Sequence, residues 1–89
     1  MPPVEWLLEL THNENGYRNL LSEAGGLASA AWRLARARCL VSPVSIQVPN
    51  RLELGAAALE IAARVGWPRP LPSWSMLATD CESAGLPVL

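Results

Sequence analysis

Residues 50–66, NRLELGAAALEIAARVG, constrain this chain more than any other stretch, because they carry both end signals of one helix. Asn50 followed by Glu53 fits a capping-box variant with Pro49 just outside: the Asn50 side chain accepts from the backbone three residues on, and the Glu53 carboxylate reaches back. Gly66 suits the left-handed residue that ends a helix. Between these caps Glu53, Glu60 and Arg64 form a narrow polar stripe, with Glu60 and Arg64 in the favourable i,i+4 order. The rest is apolar: Leu52, Leu54, Leu59, Ile61, Val65 and six small residues, including the run Gly55-Ala56-Ala57-Ala58. An apolar arc wider than half the circumference calls for burial on more than one side. The spacing therefore predicts a central helix, either of a monomer or of a dimer.

That demand sits in a chain of 89 residues, enough for one small domain spanning 1–89. Such a chain buries only roughly 60–65% of its unfolded surface, so a polar exterior is the ordinary solution. Here 51% of residues are apolar and 17% are charged, against about 25% charged in an average domain. The excess apolar surface needs a cover, either a second copy or another protein.

The remaining segments read mainly as helices. VEWLLEL, residues 4–10, fits either a helix or a strand, since Val4, Trp6, Leu8 and Leu10 also alternate. Pro2 and Pro3 favour the helix. THNE, residues 11–14, fits a capping box with Thr11 as the cap, and Tyr17, Leu20, Leu21 and Ala24 follow at helical spacing. Asn15-Gly16 is a competing hairpin signal. After Gly25-Gly26, LASAAWRLARARCLV predicts a helix to about Val41, with Leu27, Ala31 and Leu34 inside and Ser29, Arg33 and Arg36 facing water. Arg38 falls within the apolar arc, as a snorkelling side chain near the helix end or as an anchor for a carboxylate on a partner. Val44, Ile46 and Val48 alternate as in a short strand or an extended connector. SWSMLATDCESAG predicts a last helix capped by Ser73 and stopped by Gly85, with Trp74, Leu77, Ala78 and Cys81 on its buried face. The expected fold is an all-α bundle of four or five short helices. The alternative is α+β, with strands near 4–10 and 44–48.

Little in the sequence points to catalysis or to a cofactor. His12, the one histidine, stands in a polar loop without cysteines or carboxylates at metal-ligand spacing. Cys39 and Cys81 fall on buried helix faces, where a free thiol is usually inert. Asp80 and Glu82 point to different sides of their helix, and there is no glycine-rich phosphate loop. The expectation is a protein that is not an enzyme, without metal or cofactor. No apolar run is long enough to span a membrane, and Pro2, Pro3 and Glu5 stand where a signal peptide needs positive charge and then apolar residues. A cytoplasmic location follows as an expectation.

Charge argues against nucleic acid, since the net charge is −1. The local pattern is uneven: Glu5, Glu9, Glu14 and Glu23 precede Gly26, whereas Arg33, Arg36 and Arg38 follow it, so the two segments should attract each other. Every basic side chain is arginine and phenylalanine is absent, a bias that suits a GC-rich bacterial or phage genome.

GWPRPLPSW, residues 66–74, links the last two predicted helices. Its prolines keep it extended, which suits a connector across the end of a bundle, and the SH3-ligand pattern stops short at Ser75. Tryptophan is the commonest interface hot spot. Trp6 and Trp32 lie on leucine- and alanine-rich helix faces and read as core. Trp67, Arg69, Trp74 and Met76 read as contacts for a partner, with Arg33 and Arg36 steering an acidic surface. The function expected is non-catalytic protein binding by a small regulator, adaptor or phage-type inhibitor that occludes a larger protein, with self-association open as well. The alternative is a helix-turn-helix-like DNA-binding regulator using residues 27–41 across Gly25-Gly26.

Overall fold

The computed structural model describes residues 4–40 and 48–89. It places five helices there: α1 (Val4–Leu10), α2 (Glu14–Ala24), α3 (Leu27–Leu40), α4 (Arg51–Val65) and α5 (Trp74–Ser83). The fold is all-α, with no strand among the described residues. Residues 41–47, and with them most of the alternative strand at 44–48 and the predicted helix end at Val41, lie outside the described residues.

Local chemistry sets most helix ends. The Asn50 side chain accepts from the Glu53 N–H at 2.8 Å, and Glu53 Oε1 accepts from the Asn50 N–H at 3.0 Å, completing the box at the start of α4. Gly66 closes α4 at φ 66°, in the left-handed region, with its N–H on the Ala62 carbonyl. Ser73 caps α5 by accepting from the Met76 N–H at 3.2 Å. Residues 67–73 between these caps form an irregular connector.

At the N-terminal end the favoured helix is borne out and one cap is corrected. Residues 4–10 are helix, as favoured, and not the alternative strand: no second strand pairs with them among the described residues, whereas α1 pairs part of its backbone within itself and buries Leu7. The cap of α2 is Asn13 and not Thr11. Asn13 Oδ1 accepts from the Gly16 N–H at 2.9 Å, while the Thr11 hydroxyl donates backwards to the Leu8 carbonyl at 2.7 Å and closes α1. Asn15-Gly16 therefore lies inside a helix and makes no hairpin. Gly16 serves close packing instead, since any Cβ there would overlap the Leu10 carbonyl.

The monomer is centred on α3, not on α4. α3 packs against all four other helices, and α4 forms its most extensive contact. Small side chains make this possible: Ala30, Ala31, Ala35 and Ala37 are all buried, so neighbouring backbones approach closely, and Leu34 fills the space between. Leu20, Leu54, Ile61 and Leu77 complete the core. The tail returns to the bundle: Leu86 and Val88 pack on the core, and the Pro87 carbonyl accepts from the buried Trp32 indole N–H at 2.7 Å. Trp32 is thus core, as expected, whereas Trp6 remains 39% exposed because α1 turns Leu7 inward instead.

Candidate functional site

α4 has two opposite environments. Its inner face, with Leu54, Ala57, Ala58, Ile61 and Ala62, is buried. Its outer face carries large apolar side chains in water: Leu52 is 62% exposed and Leu59 58%. On one flank of that face Leu71 of the connector (40% exposed) and Trp74 of α5 (52% exposed) complete a groove of about 350 Å³. Every residue lining it is apolar. Gly55 makes the groove possible, because the Trp74 indole lies on its backbone where any Cβ would overlap the ring.

Trp74 is therefore not on the buried face of α5, as its helical position suggested. Leu77, Ala78 and Cys81 occupy that face, while Trp74 stands at the first turn, where the indole reaches sideways over α4. The other expected contact residues are dispersed. Trp67 and Arg69 line an adjoining hollow of about 420 Å³ that shares Pro72 and Leu77 with the groove, and the Arg69 guanidinium lies over the Trp67 ring at 5.2 Å. Met76, 58% exposed, lines a third depression with Ser75 and Thr79. Arg33 and Arg36 stand half-buried on α3 and do not line the groove. Arg36 lies over the Trp32 ring at 5.7 Å, and Arg33 Nε is buried with no hydrogen bond among the described residues. Leu52, Leu59 and Leu71 were missing from the expected contacts. Their one sequence signal is the apolar arc of α4, too wide for the monomer to cover.

The ionisable groups serve the bundle. Arg38 is an anchor within the chain: its guanidinium donates two hydrogen bonds to the Glu60 carboxylate, at 2.9 and 2.8 Å. It thus turns to α4 and not to the acidic N-terminal segment. The buried Tyr17 hydroxyl donates to the same carboxylate at 2.6 Å. These donors, Arg38 foremost, hold Glu60 below the ordinary carboxylate range, while burial and then the Glu60 contact push Tyr17 up. Arg64, expected beside Glu60, lies instead over the Tyr17 ring at 5.7 Å. Both cysteines are buried free thiols. The Cys39 thiol donates to Glu53 Oε2 at 2.8 Å and the Cys81 thiol to the Ala28 carbonyl at 3.3 Å. Burial is the main cause that pushes each to about 11.

Among the described residues no three His, Cys, Asp or Glu side chains cluster as metal ligands, and no helix is long and apolar enough to cross a membrane. Comparison with protein-family models, with curated proteins and with solved structures finds no match to this chain.

Proposed function

We propose that this chain is a non-catalytic protein-interaction module whose docking surface is the apolar groove between α4 and α5. It acts as a small regulator, adaptor or inhibitor that covers part of a larger assembly. The observation that carries this reading is the half-exposed Trp74 seated on Gly55 beside exposed Leu52, Leu59 and Leu71. Covering such a patch removes apolar area from water, and a rigidly seated tryptophan adds contact area at little cost in side-chain entropy. With every lining residue apolar, docking rests on shape and apolar complementarity. Trp67 and Arg69 offer a secondary contact at the connector end, and Arg33 and Arg36 play at most a distant steering part. A cytoplasmic setting accords with two buried, unpaired thiols.

The DNA-binding alternative needs α3 to enter a groove with one face free. α3 packs against all four other helices and its outward Ser29, Arg33 and Arg36 are only half-exposed, which supports protein binding over that reading.

The test is affinity capture from the native host with the wild type and with Leu59→Glu, read by mass spectrometry. A protein held by the wild type and lost from the variant supports the groove as a docking surface. If neither a host protein nor a second copy of the chain binds the wild type, the reading fails.

A further inference from the structure

We propose that the groove is covered by a second copy of this chain, with the two α4 helices packed antiparallel across a twofold axis. This rests on reading the groove as a docking surface and names its occupant.

The exposed residues of α4 form an ordered series. Leu52, Ala56, Leu59 and Ala63 are all exposed, and at about 100° per residue they fall within roughly 60° of the helix circumference. Large and small side chains alternate along this stripe. In a parallel pair, like would face like, leucine against leucine and alanine against alanine. In an antiparallel pair shifted to a common centre, Leu52 of one copy lies beside Ala63 of the other, and Ala56 beside Leu59. Each large side chain then meets a small one, which is the arrangement that lets two helices interdigitate. The stripe is thus complementary to itself in one orientation. The twofold axis runs between the two α4 helices and brings both Trp74 rings and both Leu71 side chains to one flank of the seam.

Charge and area agree with this occupant. The stripe carries no charged residue, and the carboxylates on its shoulder are engaged within the chain: Glu53 by Asn50 and Cys39, Glu60 by Arg38 and Tyr17. Pairing two such faces leaves no unmatched charge in the seam. The stripe with Leu71 and Trp74 presents on the order of 500 Å² of apolar surface, within the range of patches that mark interaction sites. Full cover of both patches buries at most about 1,000 Å², the area a specific interface must reach. A dimer also gives α4 what its sequence calls for, cover on both sides.

The test is sedimentation velocity of the purified full chain from low micromolar to submillimolar concentration. The expected species has twice the 9.6 kDa mass of the chain. Leu59→Glu, at an exposed position, is expected to keep its circular dichroism and to weaken the dimer at least about 30-fold, because a charge would be buried in the seam. Ala56→Leu alone is expected to weaken it as well, and the exchange Ala56→Leu with Leu59→Ala to restore it, since each large residue would again face a small one. A monomeric wild type at every concentration would overturn the second copy as occupant, and capture of a host protein sensitive to Leu59→Glu would then still support the groove. A dimer indifferent to Leu59→Glu, or one not restored by the exchange, would overturn the antiparallel α4 seam.

Discussion

The Trp74 indole lies on the backbone of Gly55, nineteen positions earlier in the chain, at a point where even a methyl group would overlap its ring. This contact shapes the groove, and it gives a substitution whose sign depends on its neighbour. Alanine is worth about 1 kcal/mol over glycine inside a helix. Forcing a methyl into a filled contact costs about 1–3 kcal/mol. In the wild type Gly55→Ala is therefore expected to be neutral or to destabilise by up to about 2 kcal/mol. With Trp74→Ala in place the clash is gone, and the same change is expected to stabilise by about 1 kcal/mol. Urea unfolding of the four proteins of this cycle measures the coupling. Equal effects in both backgrounds would mean that the indole does not rest there.

Arg38, Tyr17 and Glu60 tie α3, α2 and α4 together through one carboxylate. Glu60→Ala is expected to cost about 1–3 kcal/mol, because it leaves the buried Tyr17 hydroxyl without its acceptor. The pH dependence has a definite sign. Glu60 is held below its ordinary 4.5, so its contribution is complete above that value and is lost as pH falls through the folded one. Tyr17 is raised above its ordinary 10.0, so its contribution is present below that value and is lost as pH rises through the folded one. Glu60→Gln is expected to flatten the acid side of the profile, measured by urea midpoints from about neutral pH down to about pH 3. An unchanged acid slope would exclude Glu60 as a source of the acid sensitivity.

The sequence was most legible where the deciding chemistry is local. Asn50 with Glu53, Gly66 and Ser73 mark helix ends through groups within four residues of one another, and each cap forms as expected. Thr11 misled because two hydroxyl- or amide-bearing residues, Thr11 and Asn13, compete for one helix start. Spacing alone does not show that the Thr11 hydroxyl turns back to Leu8. The partners of Arg38 and Trp74 were out of reach for another reason: they lie on other helices, brought near only by the packing of small residues. The same small residues hid the centre of the fold. A helix rich in alanine, such as α3, has a weak apolar signal but admits four neighbours. The wide apolar arc of α4 called for burial on more than one side, without saying that Leu52 and Leu59 would stay exposed in the monomer.

The competing caps can be separated directly. Asn13→Ala is expected to destabilise by about 1 kcal/mol, the usual value for a lost N-cap, and Asn50→Ala by a similar amount. Thr11→Val keeps the size of the side chain and removes only an end-of-helix hydrogen bond, so a loss of about 0.5 kcal/mol is expected. Thermal unfolding followed by circular dichroism ranks the three. A larger effect at Thr11 than at Asn13 would restore Thr11 as the cap.

The thiols offer a probe of the core that needs no partner. Cys39 and Cys81 are buried and pushed from 9.0 to about 11, so both hold their protons at neutral pH. A rise of this size lowers the thiolate fraction roughly 100-fold, and burial blocks access as well. Neither is expected to react with a thiol-specific disulfide reagent until the chain unfolds. The two should differ in one variant. Burial is the larger cause at Cys39, but the Glu53 carboxylate that accepts its proton adds to the rise. Glu53→Gln keeps a side-chain acceptor for the Asn50 N–H while removing the charge. It is expected to speed labelling of Cys39 in the folded protein and to leave Cys81 unchanged, read site by site by peptide mass spectrometry. Equal acceleration at both would point to general loosening of the bundle instead of the Cys39–Glu53 contact.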